Sequence, residues 1–581
     1  MDGAVGRIAR TPRTPRGVTA GLPESRCRVL GSPQAGVIQL EVIQREQAGE
    51  TIMSTCASNR RRLLGASGVA IAAGLLFGAV AARADTTLVI SIAADPTGFD
   101  PEAVANNTSG FIMAAVFDSL VRYKPGTTEV EPGLAKSWDI SSDGLTYTFH
   151  LRTGIKFHDG TPFNAAEYIK TLDRQLKKDD PNTIYNTGPV EGYEDFTFGS
   201  VASYSAVDDN TVQFKLKEPS AAFLNSLAMV WNGVVSYDAA AKLGKDFRNR
   251  PVGTGPFVFR EWKSRDQIVL DANPDYWKGK PKLDHIVFKE YPDAQAALLA
   301  LQRGETQIMG DVATQVIPAL RAAPNIVVVT QPGLTVNGMA MPNDTPPFND
   351  KRVRQALNYA VDKAAINKAL YGGLAVTMTS PLPEAQWGFD KSLKGYPYDP
   401  AKAQQLLAAA GVKPGLKIEL LSYNTPRGYN PAGADLAVAL QGYFRKVGIE
   451  ADVRKLDMGA FLATVRSGNH HGLFLTGWSG DNGDPDNFVG ELWGSYGMPV
   501  NDTSHYKDPA VDTLMQQAAA EVDHEKRIQM YHKIQAMILD GAPWVFVNST
   551  LQVRATRKDV KGFQLNPTQM FFDMETVSLV K

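Results

Sequence analysis

The chain has 581 residues, with 60 Lys and Arg against 61 Asp and Glu, and two cysteines, Cys27 and Cys56. A near-neutral balance without a basic stripe excludes a protein held on nucleic acid by phosphate contacts. Two cysteines, both near the N-terminus, exclude a disulfide-dense scaffold, a zinc–thiolate domain and a cysteine nucleophile in the body of the chain.

Residues 1–52 contain TPRTPRG and scattered Gly, Pro and Arg with no apolar periodicity. They are expected to be a disordered, non-native upstream extension, with Met53 as the true start. The basic run Asn59-Arg60-Arg61-Arg62 leads into the small-residue apolar segment GASGVAIAAGLLFGAVAA and closes on Ala82-Arg83-Ala84. A charged start, an apolar middle and a small-x-small exit make 53–84 a signal peptide cut after Ala84. Arg60-Arg61 followed by Leu63-Leu64 also fits a twin-arginine signal. Residues 85–581 then carry 49 basic and 56 acidic residues, a net charge of −7, and no cysteine. A soluble, exported protein folded through its core alone is expected, and this length points to two or three lobes.

Past the signal, short apolar strands alternate with amphipathic helices, which is the α/β pattern. TTLVISIA (86–93) reads as an opening strand. In LTYTFHLR (145–152), Leu145, Tyr147, Phe149 and Leu151 alternate with polar residues, as in a half-buried strand between the turn pairs Asp143-Gly144 and Asp159-Gly160. Asn164 is placed to cap a helix with Glu167 as reciprocal partner and Ile169, Leu172 and Leu176 on its apolar face. One helix is expected from about Lys351 to Leu370, stopped by Gly372-Gly373. Another follows in HEKRIQMYHKIQAMIL, with Ile528, Tyr531, Ile534 or Gln535, and Ile538 on one side, ending near Gly541.

Between these helices, GLFLTG (472–477) reads as a buried strand, and GWSGDNGDPDNF (477–488) as the loop leaving its carboxyl end. In open α/β sheets, ligands sit at that end. Asp481, Asp484 and Asp486 have no Lys or Arg near them in sequence. A carboxylate in a desolvating cleft suits an incoming ammonium. A calcium loop of the helix–loop–helix type fails, because counting from Asp481 puts Leu492 at the twelfth position, where a glutamate is required. His470 and His471 diverge as neighbours, and the remaining histidines are scattered, so no metal site and no cofactor are expected. No GxSxG, HExxH or phosphate-cradling glycine loop is present, and no catalytic residue is assigned.

Five blocks in order resemble the peptide/nickel solute-binding family (family 5), the extracytoplasmic receptors of ABC importers. They are residues 131–169, VGTGPFVF (252–259), NPDYWKGKPKLDHIVF (273–288), NDKRVRQALNYAVDKAAI (349–366) and GWSGDNGDPDNF (477–488). The resemblance implies a type II, three-lobed α/β fold in which two main lobes close over a central ligand cleft. Lobe I would comprise 85–118, 247–343 and 546–581. Lobe II would be the insertion 119–246, and lobe III would span 344–545. It further implies a periplasmic, monomeric, non-enzymatic receptor that captures a short peptide, binds no nucleic acid and delivers its ligand to membrane permease subunits. A receptor of the same fold for glutathione, haem, a nickel chelate or a modified amino acid remains an alternative, as does a secreted enzyme of unknown chemistry.

The same resemblance implies the site. Asp481 matches the family's partner of the ligand α-amino group. Trp478 would wall the pocket, and the backbone at Gly477 and Ser479 would extend the peptide like a strand. Asp484 and Asp486 read as turn structure. Dipeptide-binding relatives hold the ligand carboxylate with an arginine a few residues after an Asn-Pro pair, where this chain has Ala434 and Asp435; Arg427, beside Tyr429-Asn430-Pro431, is the nearest replacement. Asn107 and Thr108 would offer backbone groups from a loop of the first lobe, and Tyr193 would come from the second.

Overall fold

One strand, Trp544–Arg557, joins two halves of a twelve-stranded sheet. The computed structural model describes residues 85–580 apart from Ala105, 185–193, Asn469, 498–502 and 569–572. Among the described residues, the first half of the sheet runs from Ile449–Leu456 through Leu416–Tyr423, Leu473–Ser479 and Thr335–Ala340 to the shared strand. The second half continues through Ile308–Met309, Thr87–Ile92, His285–Glu290 and Gln267–Ala272 to Phe257–Lys263. The early part of the shared strand sets Trp544 opposite Ala340 and Asn548 opposite Asn337. Its later part sets Leu551 opposite Pro332 and Thr556 opposite both Val327 and Ile308. Fourteen residues are long enough to serve two sheet halves in turn, and the strand is buried along most of its length.

A separate antiparallel sheet of four strands is ordered Ala135–Ile140, Thr146–Leu151, Thr211–Leu216 and Val201–Asp208. The expected alternation holds in Thr146–Leu151, where Tyr147, Phe149 and Leu151 are buried. The rings of Phe149 and Phe214 meet edge to face at 5.9 Å. Gly144 and Gly160 both take positive φ in the flanking turns.

The helix Ala165–Leu176 starts where Asn164 accepts a bond from Glu167 N. The reciprocal half of the capping pair is replaced, because the Glu167 carboxylate meets Lys170 Nζ at 2.7 Å. Its buried face is also broader than the apolar spacing implied: Ile169 and Leu176 are half-buried, whereas Arg174 is fully buried between Asp100 and Glu102 at 2.5 Å each.

The expected single helix from Lys351 to Leu370 is two helices, Lys351–Tyr359 and Lys363–Tyr371. The first ends at its cap Ala360, whose N–H donates to the Ala356 carbonyl, and Asp362 caps the second, accepting a bond from Ala365 N at 2.9 Å. The second stops at Gly372 in the left-handed conformation, as expected. The helix His524–Gly541 buries Tyr531, Ile534, Gln535 and Ile538, and also Arg527, which periodicity alone places with the solvated residues. No helix among the described residues is long and apolar enough to cross a membrane.

Candidate functional site

The strand Leu473–Ser479 is buried over its first three residues and half-buried over its last four. Thr335–Ala340 flanks it along Phe474–Ser479, but the parallel strand Leu416–Tyr423 reaches it only at Leu473 and Phe474. Among the described residues, the end that carries Gly477, Trp478 and Ser479 therefore has a strand on one side only. Tyr429 packs on it, and a Cβ at Gly477 would fall 2.3 Å from Tyr429 Cδ2, so the ring approaches only because that residue is glycine.

Past the strand the chain turns, with Gly480 N donating to the Leu334 carbonyl at 2.7 Å. Asp481 is half-buried. Its backbone N–H donates to Asn487 Oδ1 at 2.8 Å, and its carboxylate Oδ2 accepts from Asn487 Nδ2 at 3.3 Å. The Trp478 indole donates to the same Asn487 Oδ1 at 3.2 Å. Asn482 is engaged by residues of the smaller-sheet region. Its carbonyl accepts from Tyr123 Oη and Asn225 Nδ2, each at 3.1 Å, and its amide donates to Ser226 Oγ at 3.1 Å. Gly483 takes φ +70° against Thr128, where a side chain would collide.

The expectation that the three aspartates lack a cationic neighbour is corrected by the fold. Asp484 is fully buried, and its two oxygens accept from the two terminal nitrogens of Arg527 at 2.9 Å each. That guanidinium comes from the helix His524–Gly541, 43 residues away, and lies 4.9 Å from the Trp387 ring. Asp484 is thus structural, as its turn setting implied. Asp486 opens the helix Asp486–Trp493, and its Oδ1 is buried without a hydrogen-bond partner among the described residues. Burial, then the Asp484 carboxylate, push its carboxyl up to about 7.

A cavity of about 770 Å³ opens beside this loop, lined by Asn107, Arg427, Gly477, Trp478, Ser479 and Asp481. The fold therefore gathers six predicted residues on one wall system. Thr108 is half-buried in the first turn of the helix Asn107–Val116 and does not line this cavity. Tyr193 lies outside the described residues. The expected loop at 106–108 is a helix start: Asn106 is the cap, accepting from Ser109 N at 2.9 Å. Arg427 is exposed, with its guanidinium 5.9 Å from the Tyr429 ring and its backbone bonded in both directions to Asn430 at 3.1 and 2.9 Å. Ala434 and Asp435 begin the helix Ala434–Lys446.

Reading along the sequence missed several residues of the wall, among them Phe196, Phe461, Arg466 and Glu491. They come from helices whose apolar or charged character had a sufficient explanation in the core or in solvent. Asn487 was also missed as a contributor, although it lies inside the loop string. The available signal was an amide one residue into a helix that follows a turn, where a side chain readily bonds back to loop N–H groups.

Residues 129–499 match the profile described as bacterial extracellular solute-binding proteins, family 5 middle. The chain is 36% identical over 497 residues to di/tripeptide-binding protein 1 of Pseudomonas aeruginosa, covering 83% of this chain and 92% of that protein. The chain belongs to family 5 of the bacterial extracellular solute-binding proteins. It is also 35% identical to heme-binding protein A of Haemophilus influenzae, covering 83% of this chain and 90% of that one. Among solved structures, the periplasmic binding protein DppA from Helicobacter pylori in complex with the peptide STSA superposes with a TM-score of 0.70. The identity there is 32%, covering 85% of this chain and 98% of that chain. The mixed α/β architecture with its large sheet is that of family 5.

Proposed function

We propose that this chain is the extracytoplasmic receptor of an ATP-driven importer, and that it captures dipeptides or short oligopeptides in the 770 Å³ cavity for delivery to membrane permease subunits. The observation that carries this reading is the convergence of Asp481, Trp478 and the one-sided strand end at Gly477–Ser479 on that cavity. The Asp481 carboxylate receives the ligand ammonium. The backbone at Gly477 and Ser479 pairs with the extended ligand, which fixes its direction without reading its side chains. Trp478 walls the side-chain space, Asn107 contributes from the opposing element, and Arg427 receives the ligand carboxylate. Thr108 and Tyr193 stay in the second rank of this reading.

Three lobes, 85–118 with 247–343 and 546–581, then 119–246, then 344–545, form the clamp. Three apolar clusters support a division into three bodies, one around Leu88, Phe111 and Phe288, one around Tyr147, Phe149 and Phe214, and one around Leu357, Leu420 and Ile534, the last also taking in Val336, Met339 and Phe546 from the ranges of the first lobe. Capture is reversible and involves no bond chemistry, and the receptor acts as a periplasmic monomer after removal of residues 53–84.

The peptide-binding relative favours this ligand class, and the haem-binding relative defines the main competitor. A thermal-shift panel separates them. Free di- to pentapeptides are expected to raise the unfolding midpoint, by mass action on the folded state. Haem, glutathione, nickel chelates and amino-acid derivatives are expected to leave it unchanged. A shift with one of those and none with any peptide contradicts the proposal.

A further inference from the structure

Asn487 sits at the second position of the helix Asp486–Trp493 and is 3% exposed. Its amide meets three groups of the proposed site at once. Oδ1 accepts from the Trp478 indole N–H at 3.2 Å and from the Asp481 backbone N–H at 2.8 Å, while Nδ2 donates to Asp481 Oδ2 at 3.3 Å. The orientation of the amide follows from chemistry. An indole and a backbone N–H only donate, so the oxygen must face them and the NH2 is left for the carboxylate, which only accepts.

We propose that Asn487 is the positioning residue of the ligand site, holding the Asp481 carboxylate and the Trp478 ring in fixed register through one buried amide. The inference rests on the reading of Asp481 as the partner of the ligand ammonium. A carboxylate on a glycine-flanked turn has free χ angles unless something holds it, and fixing it beforehand removes that ordering cost from binding. A neutral amide does so without bringing a positive charge to the carboxylate. Arg527 at Asp484 shows the alternative, a buried guanidinium that neutralises its partner. The spacing is also required by the fold: the turn at Gly480–Pro485 reverses the chain, so that the first turn of the next helix lies back against the strand end.

The test is a double-mutant cycle read by calorimetric titration of the full mature protein with Ala-Ala. Asn487→Ala is expected to weaken Ala-Ala roughly 10- to 100-fold, the size of one lost hydrogen bond to a charged group. In an Asp481→Asn background the same substitution is expected to cost little more, because residues acting as one unit are not additive. A merely structural residue would give the same fold-loss in both backgrounds. Asn487→Ser, which can satisfy one N–H donor but cannot span to Asp481, is the second variant should the alanine protein fail to fold, and the same loss is expected. If Asp481→Asn weakens Ala-Ala while both Asn487 variants bind as wild type, or if the losses simply add, the positioning role is overturned and the site reading stands. If Asp481→Asn itself binds Ala-Ala as wild type does, the site reading falls and takes this role with it.

Discussion

Asp486 has a carboxyl raised to about 7 by burial and by Asp484, with Arg527 opposing and Glu491 adding to the rise. The native value lies above the ordinary carboxyl value of 3.8, so the folded protein holds a proton that the unfolded chain releases. Its contribution to stability is therefore full at low pH and is lost as pH rises through about 7. Asp486→Asn mimics the protonated form. It is expected to raise the urea midpoint relative to wild type most at about pH 8.5, to do so less at about pH 5, inside the window between 3.8 and about 7, and to make little difference below the ordinary carboxyl value of 3.8. An effect that does not grow from below pH 3.8 to about pH 8.5 would contradict the assignment. At this scale the sequence made Asp481 visible, because its loop string belongs to a family block. Asp484 and Asp486 were read as turn structure, but the partners that hold the three carboxylates were not visible. They include Arg527 and Asn487, and a partner 43 residues away leaves no trace in local spacing.

The element carrying Arg427 is a surface turn fastened from below by a chain of buried polar groups. Asn430 Nδ2 donates to Tyr423 Oη at 3.0 Å, and Tyr371 Oη donates to Asn430 Oδ1 at 2.9 Å. Asn337 Nδ2 donates to that same Tyr371 Oη at 2.9 Å and to Asn548 Oδ1 at 3.0 Å. Asn548 Nδ2 passes the chain to Asn367 at 2.7 Å. The turn is thus tied to the shared strand Trp544–Arg557 through the helix Lys363–Tyr371. Tyr371→Phe leaves both Asn430 and Asn337 without one partner in a buried site. It is expected to cost about 1–3 kcal/mol for each group so orphaned, and to speed hydrogen exchange across 424–433. Unchanged stability and exchange would show that the chain of bonds does not hold the turn. Strand alternation and caps made several elements legible, including Thr146–Leu151 and the start at Asn164. The break over 360–362 was not, because Ala360, Val361 and Lys363 fit a continuous helix as well as two. What decides between them is the packing of each half, with Asn358 Nδ2 bonded to the Trp544 carbonyl at 2.8 Å.

Across the whole molecule, the order of family blocks made the α/β binding-protein fold legible, and the blocks did so without any ligand geometry. The loop Gly480–Pro485 lies between the proposed lobes in a way the sequence does not reveal: Asp481 lines the cavity, while Asn482 is bonded to Tyr123, Asn225 and Ser226. Adjacent residues thus meet the cavity and the smaller-sheet region, so the proposed ligand capture and the contact with the smaller-sheet region share one turn. The proposed route to the periplasm makes its own prediction: N-terminal sequencing of the exported protein begins at Asp85 or within a few residues of it. A mature protein that retains 53–84 would contradict the signal-peptide assignment. The central claim is that a free peptide ammonium is held by Asp481 inside the closed cleft. Calorimetric titration of wild type and Asp481→Asn with a free and an N-acetylated dipeptide tests it most directly. Loss of one partner of a buried charge pair is expected to cost about 2–5 kcal/mol, roughly 30- to several-thousand-fold for the free dipeptide. The N-acetylated peptide is expected to bind poorly to both proteins and to differ little between them. Equal affinity of wild type and Asp481→Asn for the free dipeptide would contradict the account.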